Sequence, residues 1–346
     1  MKKIKVFLGG YINYTNAQNL NCRAVAEHLN KDKFEAYSLK VHFGDNEKYT
    51  TKSFNCFKPF RITQHFGFLW GIFHCDVAYL PKHIDTPVWV LKLSKWLKKP
   101  IFTTIEGNVT DLNQQYNLIG LFGSQQKMKN HFTYFNAVFG ITQQLINSTH
   151  QVIKMRKTPL FLGVDLKNFS HHNKEKLSSI VFVGGLIKRK RVYEFIALAK
   201  LYPNIQFKII GEGPEQQSFQ NNLPTNVTFL GKLNHKEMDA IFSSSDLLFL
   251  PSKSEGFPKV ILEAASAGVP SVVYDSYGAS DWLEHKINGF IATNFEEVQG
   301  IINELLNDLK LLEITSKNAV KLAHRFDWKN IINDWEKVIV DLYNGK

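Results

Sequence analysis

"SIVFVGGLIKRKRVYEF", residues 179–195, passes from an apolar run through two glycines and four consecutive basic residues into a stretch of helical spacing. A run that is apolar at consecutive positions belongs to a strand buried on both faces, and such strands build parallel sheets. The same order recurs on either side of it. In the first half the runs are "KIKVFLGG", "CDVAYL", "PIFTTIEG" and "FNAVFGIT"; in the second they continue with "IQFKIIGEG", "NVTFLG", "DLLFLP" and "PSVVYD". Between them lie stretches of helical periodicity, such as "YEFIALAKLY" and "HKEMDAIFSSS". This alternation predicts an α/β fold with a doubly wound parallel sheet in each half. Two open sheets of that kind are expected to face a cleft, with ligands at the carboxyl ends of their strands.

A chain of 346 residues can bury two cores of ordinary size. The polar stretch "DLKNFSHHNKEKLSS" (165–179) reads as the linker between them, and a helix-rich tail ends in "DWKNIINDWEKVIVDLYNGK". A net charge of +11 favours an anionic partner without choosing among nucleotide, phospholipid surface and nucleic acid. Cys22, Cys56 and Cys75 are widely spaced and odd in number, which argues against a zinc site and against a disulfide framework. The opening "MKKIKVFLGGY" is apolar for too few residues to be a signal peptide and reads as a first strand. The most apolar window, "FGFLWGIFHCDVAYL" (66–80), is shorter than the roughly 18–20 residues of a membrane span. A cytoplasmic protein is therefore expected, with peripheral contact to a membrane as its closest approach to one.

Glycine turns carry the first chemical signal. Gly184 and Gly185 would let backbone approach a ligand closely, and Lys188 to Arg191 could neutralise a diphosphate. Cations oppose the macrodipole at a helix start, so this run calls for an external anion or for full solvation. Taken alone, a solvated basic turn explains it equally well. "IIGEGP" (209–214) is a similar turn that lacks the third glycine of a dinucleotide fingerprint, and a tight strand–helix connection accounts for it. "LGG" (8–10) is another strand-end pair for which close packing is reason enough.

The second signal is "SEGFPKVILEAASAG", residues 254–268. It reads as a loop carrying Glu255, then a helix with Pro258 near its first turn, Glu263 inside it and Gly268 at its end. Eight residues of helix span about 12 Å, whereas glycosidase carboxylate pairs lie about 5–9.5 Å apart. An acid–base dyad is thus disfavoured. Two carboxylates holding different parts of one elongated ligand fit better, with the amides of Lys259 and Val260 aimed at an anion between them.

The segment "SEGFPKVILEAASAGVPSVV" resembles the E-x7-E segment of retaining glycosyltransferases with the two-domain GT-B fold. "FLGVDLKNF", "VGGLIKRKRV", "IIGEGPEQQ", "VTFLGKLNHKEM", "YGASDWLEHKINGFI" and "FDWKNIINDWEKVI" are similar to further family segments in order and spacing. The likeness is strong over 160–346 and loose over 1–160. It implies two Rossmann-like doubly wound domains: 1–165 for the acceptor, 166–326 for the nucleotide sugar, and a C-terminal helix over 327–346 returning to the first.

It also implies site roles. Glu263 would hold ribose hydroxyls and Glu255 a donor-sugar hydroxyl, with backbone from Gly256 through Phe257, Pro258 and Lys259 to Val260 lining sugar and diphosphate. Lys190 would meet the diphosphate, and Arg189 is the candidate for the family arginine that Gly185 replaces. Gly10, Gly184, Gly185, Lys232 and Leu233 complete the donor set. Where the family carries histidine after its fourth strand this chain has Glu106, a further candidate sugar contact. Catalysis would rest on Glu255, Lys190 and Arg189, with no metal, no other cofactor and no protein nucleophile.

The expected partners are a nucleotide-sugar donor, a UDP- or GDP-sugar, and a glycan or lipid-linked acceptor in surface polysaccharide assembly such as capsule or lipopolysaccharide. The basic, aromatic stretch 50–80 could meet a membrane, although a helix packing its apolar stripe is the plainer reading. His42, His65, His74 and His83 are scattered and read as structural or exposed. No RNA-binding signature is present, so no nucleic acid is expected. The rival readings are a nucleotide-sugar epimerase of the same fold and a non-catalytic nucleotide- or nucleic-acid-binding protein, the nucleic-acid reading resting on the charge of +11 alone.

Overall fold

A computed structural model of the chain describes residues 2–107, 109, 117–166, 169, 170, 174 and 176–345. It divides into two compact units, Met1–Leu162 with Trp328–Lys346, and Gly163–Asp327. Part of the polar stretch 165–179 (residues 167, 168, 171–173 and 175) lies outside the described residues, as does the last residue of the C-terminal segment.

The first unit is built on β1 (Ile4–Tyr11), β2 (Phe34–Val41), β3 (Lys52–Cys56), β4 (Val77–Tyr79), β5 (Ile101–Ile105) and β6 (Ala137–Gly140), with α1 (Ala17–His28), α2 (Phe60–His74), α3 (Val88–Trp96), α4 (Leu118–Phe122), α5 (Gln125–Phe132) and α6 (Gln143–Thr149) between them. All strand pairs are parallel and the order is β3-β2-β1-β4-β5-β6. Phe7, Tyr79 and Phe102 are fully buried, as strands covered on both faces require, and Phe68 of α2 is buried edge-on to Phe7. Asn16 caps α1 by accepting a hydrogen bond from the amide of Asn19.

Two strands here were not expected. β2 breaks its apolar run with Glu35, Ser38 and Lys40, and β3 is an edge strand exposed along much of its length.

The unit is closed by the last helix of the chain, α12 (Trp328–Tyr343; the helices α7 to α11 belong to the second unit). Trp335 is fully buried, its ring set edge-on to Tyr79 at 5.0 Å, and its indole N–H donates to the carbonyl of Phe161 at 3.0 Å. Cys22, Cys56 and Cys75 are free and buried.

The second unit repeats the plan with β7 (Ser179–Val183), β8 (Gln206–Ile210), β9 (Val227–Gly231), β10 (Leu247–Leu250), β11 (Ser271–Tyr274) and β12 (Phe290–Ala292), in the parallel order β12-β11-β10-β7-β8-β9. Its helices are α7 (Val192–Leu201), α8 (His235–Ser243), α9 (Lys259–Ser266), α10 (Phe295–Asn307) and α11 (Leu309–Arg325). The strand order turns around between β7 and β10, the place where doubly wound sheets bind ligands.

The linker reading of 165–179 is corrected by its described residues. The amide of Ser170 donates to Asp239, buried Lys174 donates to the carbonyls of Phe242 and Ser243, and Ser178 is held by Asp246. A polar composition here signals partners on α8 and at the start of β10 rather than a free tether.

Two substitutions test the packing of the first unit. A Cβ on Gly71 would lie 2.4 Å from the Phe7 ring, so Gly71→Ala should cost about 1–3 kcal/mol. Trp335→Ala should cost about 3–5 kcal/mol. Both are read as lower denaturant midpoints; a wild-type midpoint for Gly71→Ala would mean that α2 can move off β1 freely.

Candidate active site

The site is assembled by loops that leave neighbouring strands at the same edge of the second sheet. After β7 come Gly184 and Gly185, then a single turn of 3-10 helix over Lys188–Lys190. After β10 comes the loop that carries Glu255 to the start of α9. Because β7 and β10 pair in register, the two loops meet.

Their meeting point is a carboxylate held by two cations. Lys190 Nζ lies 2.5 Å from Glu255 Oε1, and Arg189 Nη1 lies 3.2 Å from Glu255 Oε2. The Arg189 guanidinium also donates to the carbonyl of Ser254, and the Arg189 carbonyl accepts from the amide of Lys253 at 2.9 Å. The Glu255 side chain is only 9% exposed. Burial alone would raise its pKa, but the charges of Lys190 and Arg189 outweigh burial and hold it below the usual carboxylate range.

The four basic residues therefore do not act as one patch. Arg191 takes a left-handed conformation (φ 50°), pairs with Glu194 at 3.2 Å and lies over the Tyr274 ring. Lys188 is exposed. Within the run, Glu255 pairs with Arg189 and Lys190 and Glu194 with Arg191, two carboxylates against three cations, so an internal counter-charge meets part of the demand that the sequence placed on an external anion or solvation.

Beside this clamp lies a cavity of about 730 Å³ wholly within the second unit. Of the residues singled out from sequence, Gly184, Gly185, Lys190, Lys232, Leu233, Pro258, Lys259, Val260 and Glu263 line it. A side chain at Gly185 would enter open space, whereas Gly211 has φ +141° and a Cβ there would meet the Gly184 carbonyl oxygen at 1.9 Å. The turn after β8 crosses directly over the turn after β7, and this close approach is what its glycines serve.

Pro258 begins α9 with no side-chain cap, so the first turn of that helix presents its positive end at the cavity wall. Glu263 stands one turn further along the same wall. Lys232 pairs with Glu212 at 2.7 Å, both well exposed, a contact of little energetic weight.

Other candidates are placed elsewhere. The Phe257 ring packs on Trp282 at 5.5 Å and on Phe326 at 5.4 Å, which anchors the loop after Gly256; neither Gly256 nor Phe257 lines the cavity. Gly10 and Glu106 belong to the first unit. Gly10 is buried in β1, where a Cβ would meet Cys22 Sγ at 2.7 Å, so packing accounts for it. Glu106 follows β5 and accepts from Asn21 Nδ2 at 3.2 Å and from Thr104 Oγ1 at 3.3 Å. His83 is buried and bonded to the Thr104 carbonyl at 3.1 Å, with burial pushing its pKa down to about 3.

Sequence reading passed over Met238, Asn234 and Glu212, which line the cavity, and Tyr277. The Tyr277 hydroxyl is buried without a hydrogen-bond partner among the described residues. Burial, then the nearby carboxylates of Glu255 and Asp275, push it well above its usual pKa. No spacing rule marks such positions. Among the described residues, no group of three or more His, Cys, Asp or Glu side chains is placed to hold a metal ion.

Two doubly wound units of this strand order, the second with an anion-receptive cavity at its switch point, define the GT-B class of α/β protein. Residues 164–322 match the family described as "Glycosyl transferases group 1". It is 31% identical over 150 residues to an "Uncharacterized glycosyltransferase" of Haemophilus influenzae, covering 41% of this chain and 42% of that protein. It is 32% identical over 206 residues to an Escherichia coli "UDP-Gal:alpha-D-GlcNAc-diphosphoundecaprenol alpha-1,3-galactosyltransferase", covering 52% of each. The chain thus spans about half or less of these curated relatives.

Among solved structures, sucrose-phosphate synthase from Thermosynechococcus elongatus superposes with a TM-score of 0.81 at 15% identity, over 99% of this chain and all of that one. HepE from Anabaena, in complex with UDP, superposes at 0.77 and 17% identity over 98% of this chain and all of that one. At such identities these likenesses establish the fold.

The clamp makes a testable demand on stability. Glu255→Gln should lower stability at neutral pH by about 1–3 kcal/mol, because two cations lose their counter-charge. A carboxyl whose folded pKa is depressed stabilises above its unfolded pKa and loses that contribution as pH falls through the folded value. The gap between wild type and variant, read from urea midpoints, should accordingly begin to close below pH 4.5. A gap that persists there would remove the ion pair as its cause.

Proposed function

We propose that this chain transfers a sugar from a nucleotide-sugar donor, with the donor held in the cavity of the second unit. The observation that carries the reading is the convergence of Lys190, the start of α9 and Glu263 on one cavity at the switch point. Lys190 and the first amides of α9 suit the diphosphate, and Glu263 suits a pair of ribose hydroxyls. Leu233, Ile210 and Met238 provide an apolar wall against which a base can lie. HepE, of the same fold, binds UDP and UDP-glucose, which favours a uridine donor.

The proposed chemistry is stabilisation of a leaving group. As the sugar–phosphate bond breaks, negative charge grows on the diphosphate, and fixed positive groups count most at that moment. Lys190 is preorganised for this because Glu255 holds its ammonium in place. Arg189, bonded to both Glu255 and the Ser254 carbonyl, steadies the carboxylate and supplies long-range charge. With Glu255 taking both cations, its role toward a sugar hydroxyl is a shared one, through whichever carboxylate lone pairs the cations leave open.

In this reading transfer retains configuration, with the acceptor attacking from the face the phosphate leaves and the phosphate oxygen taking its proton. The acceptor is a glycan or a lipid-linked sugar of bacterial surface polysaccharide. The E. coli relative carries a lipid diphosphate substrate in its name, and one from Streptomyces coelicolor is an exopolysaccharide phosphotransferase.

The test is nucleotide release from UDP-, GDP- and ADP-sugars, with and without glycan or lipid-linked acceptors. Release from one base class, stimulated by acceptor, is expected. Lys190→Ala should lower its rate about 10²–10³-fold. Glu263→Ala should act mainly on donor binding, raising KM roughly ten- to a hundredfold for the lost charge-assisted hydrogen bonds. No release from any donor by folded protein would overturn the proposal, and a new sugar isomer without release would mark an epimerase instead.

A further inference from the structure

A second cavity, of about 690 Å³, lies in the first unit between the end of α5, the start of β6 and the chain at 152–156. The amide of Arg156 donates to the carbonyl of Val138 at 2.8 Å, which ties that last segment to β6. The strands of this sheet all run in one direction, so the cavity sits at the edge where they begin. Gly10 and Glu106 stand at the opposite edge, where β1 and β5 end. The space is therefore distinct from every strand-end position that the sequence singled out.

Its apolar lining is aromatic in part. Phe132 and Phe135 line it with ring centroids 6.0 Å apart, and Met155 stands with them. Apolar walls around a volume of this size are unfavourable to leave to water, and the volume is that of a small-molecule site, roughly 300–1,000 Å³.

The charge around the cavity is all of one sign. Lys129, Lys154 and Arg156 line it, and no aspartate or glutamate does. From Asn117 to Val164 the chain holds five lysines and arginines and no acidic residue. Lys129 and Lys154 enter no ion pair among the described residues. Lys129, in the last turn of α5, also answers the dipole of that helix, but Lys154 and Arg156 belong to no helix.

We infer that this cavity binds a small organic anion with an aromatic body, the rings and the thioether taking the body and Lys129 and Lys154 the head group. Aromatic faces and sulfur pack favourably on a flat ring, and lysines meet carboxylate, sulfonate or phosphate as point charges. A bilayer or a protein surface suits this face poorly. Among the described residues, no large apolar side chain between Phe122 and Leu186 is exposed, so the apolar area is recessed and offers nothing to insert. The inference does not depend on sugar transfer.

It is tested by fluorescence titration of the full chain with 8-anilino-1-naphthalenesulfonate and with N-phenyl-1-naphthylamine, the same ring system without the charge. Saturable binding is expected, tighter for the sulfonate and weakened by salt. Lys129→Gln with Lys154→Gln should weaken the sulfonate about tenfold and leave the amine unchanged, as expected for two partly exposed charge pairs. Phe135→Ser should weaken both probes while circular dichroism stays that of wild type. Lys190→Gln, in the cavity of the second unit, should leave sulfonate binding as it is. Absence of saturable binding, equal affinity for the two probes, or sulfonate binding indifferent to the double lysine variant would overturn the proposal. So would loss of the sulfonate in Lys190→Gln alone, which would give the probe to the other cavity.

Discussion

Glu255, between Lys190 and Arg189, is the contact on which the architecture of the site depends. Parallel strands deliver every ligand-side loop to one sheet edge, and at the switch point those loops leave in diverging directions. Two of them here bring cations and a helix start together, all of positive sign. Without a buried carboxylate that convergence would be repulsive and the loops would part. With it, the cations outweigh the burial cost of the carboxylate, and the ammonium of Lys190 is fixed before any ligand arrives. The clamp thus serves stability and preorganisation at once.

Around that clamp the cavity is built as much by backbone as by side chains. Gly211 passes so close over Gly184 that no other residue would fit, and Gly185 leaves open the space that a side chain would fill. Phe257 is committed to Trp282 and Phe326, so the loop from Glu255 to Pro258 is held at both ends, by charge at one and by aromatic packing at the other. The result is a wall on which the first turn of α9 and the carboxylate of Glu263 keep a set relation to Lys190.

How far this was legible depended on whether the signal was local. The strand after which Gly184 falls announces itself because both of its faces are buried, and so do β8, β10 and β11. β2 escaped notice because Glu35, Ser38 and Lys40 interrupt its apolar run. Lys190 and Glu263, which line the cavity, could be picked out from their place after a strand and within an apolar helix. Arg191 could not be told from its three basic neighbours, since its separation rests on a left-handed backbone and on Glu194. Tyr277 and Met238 carried no mark at all, because a buried hydroxyl or a lining thioether is defined by what surrounds it.

The sequence by itself determined that the chain forms two parallel doubly wound sheets and which loops of the second border its cavity. Burial on both faces writes itself into consecutive apolar positions, and glycine and proline mark the turns. Only the tertiary structure decided that Glu255 is spent on Lys190 and Arg189, that the polar stretch before β7 is pinned to α8, and that α5, β6 and residues 152–156 enclose a second cavity. Each is a question of which residue, distant in sequence, stands opposite. Ion pairing, hydrogen bonding and exposure depend on distance in space, and spacing along the chain does not encode that.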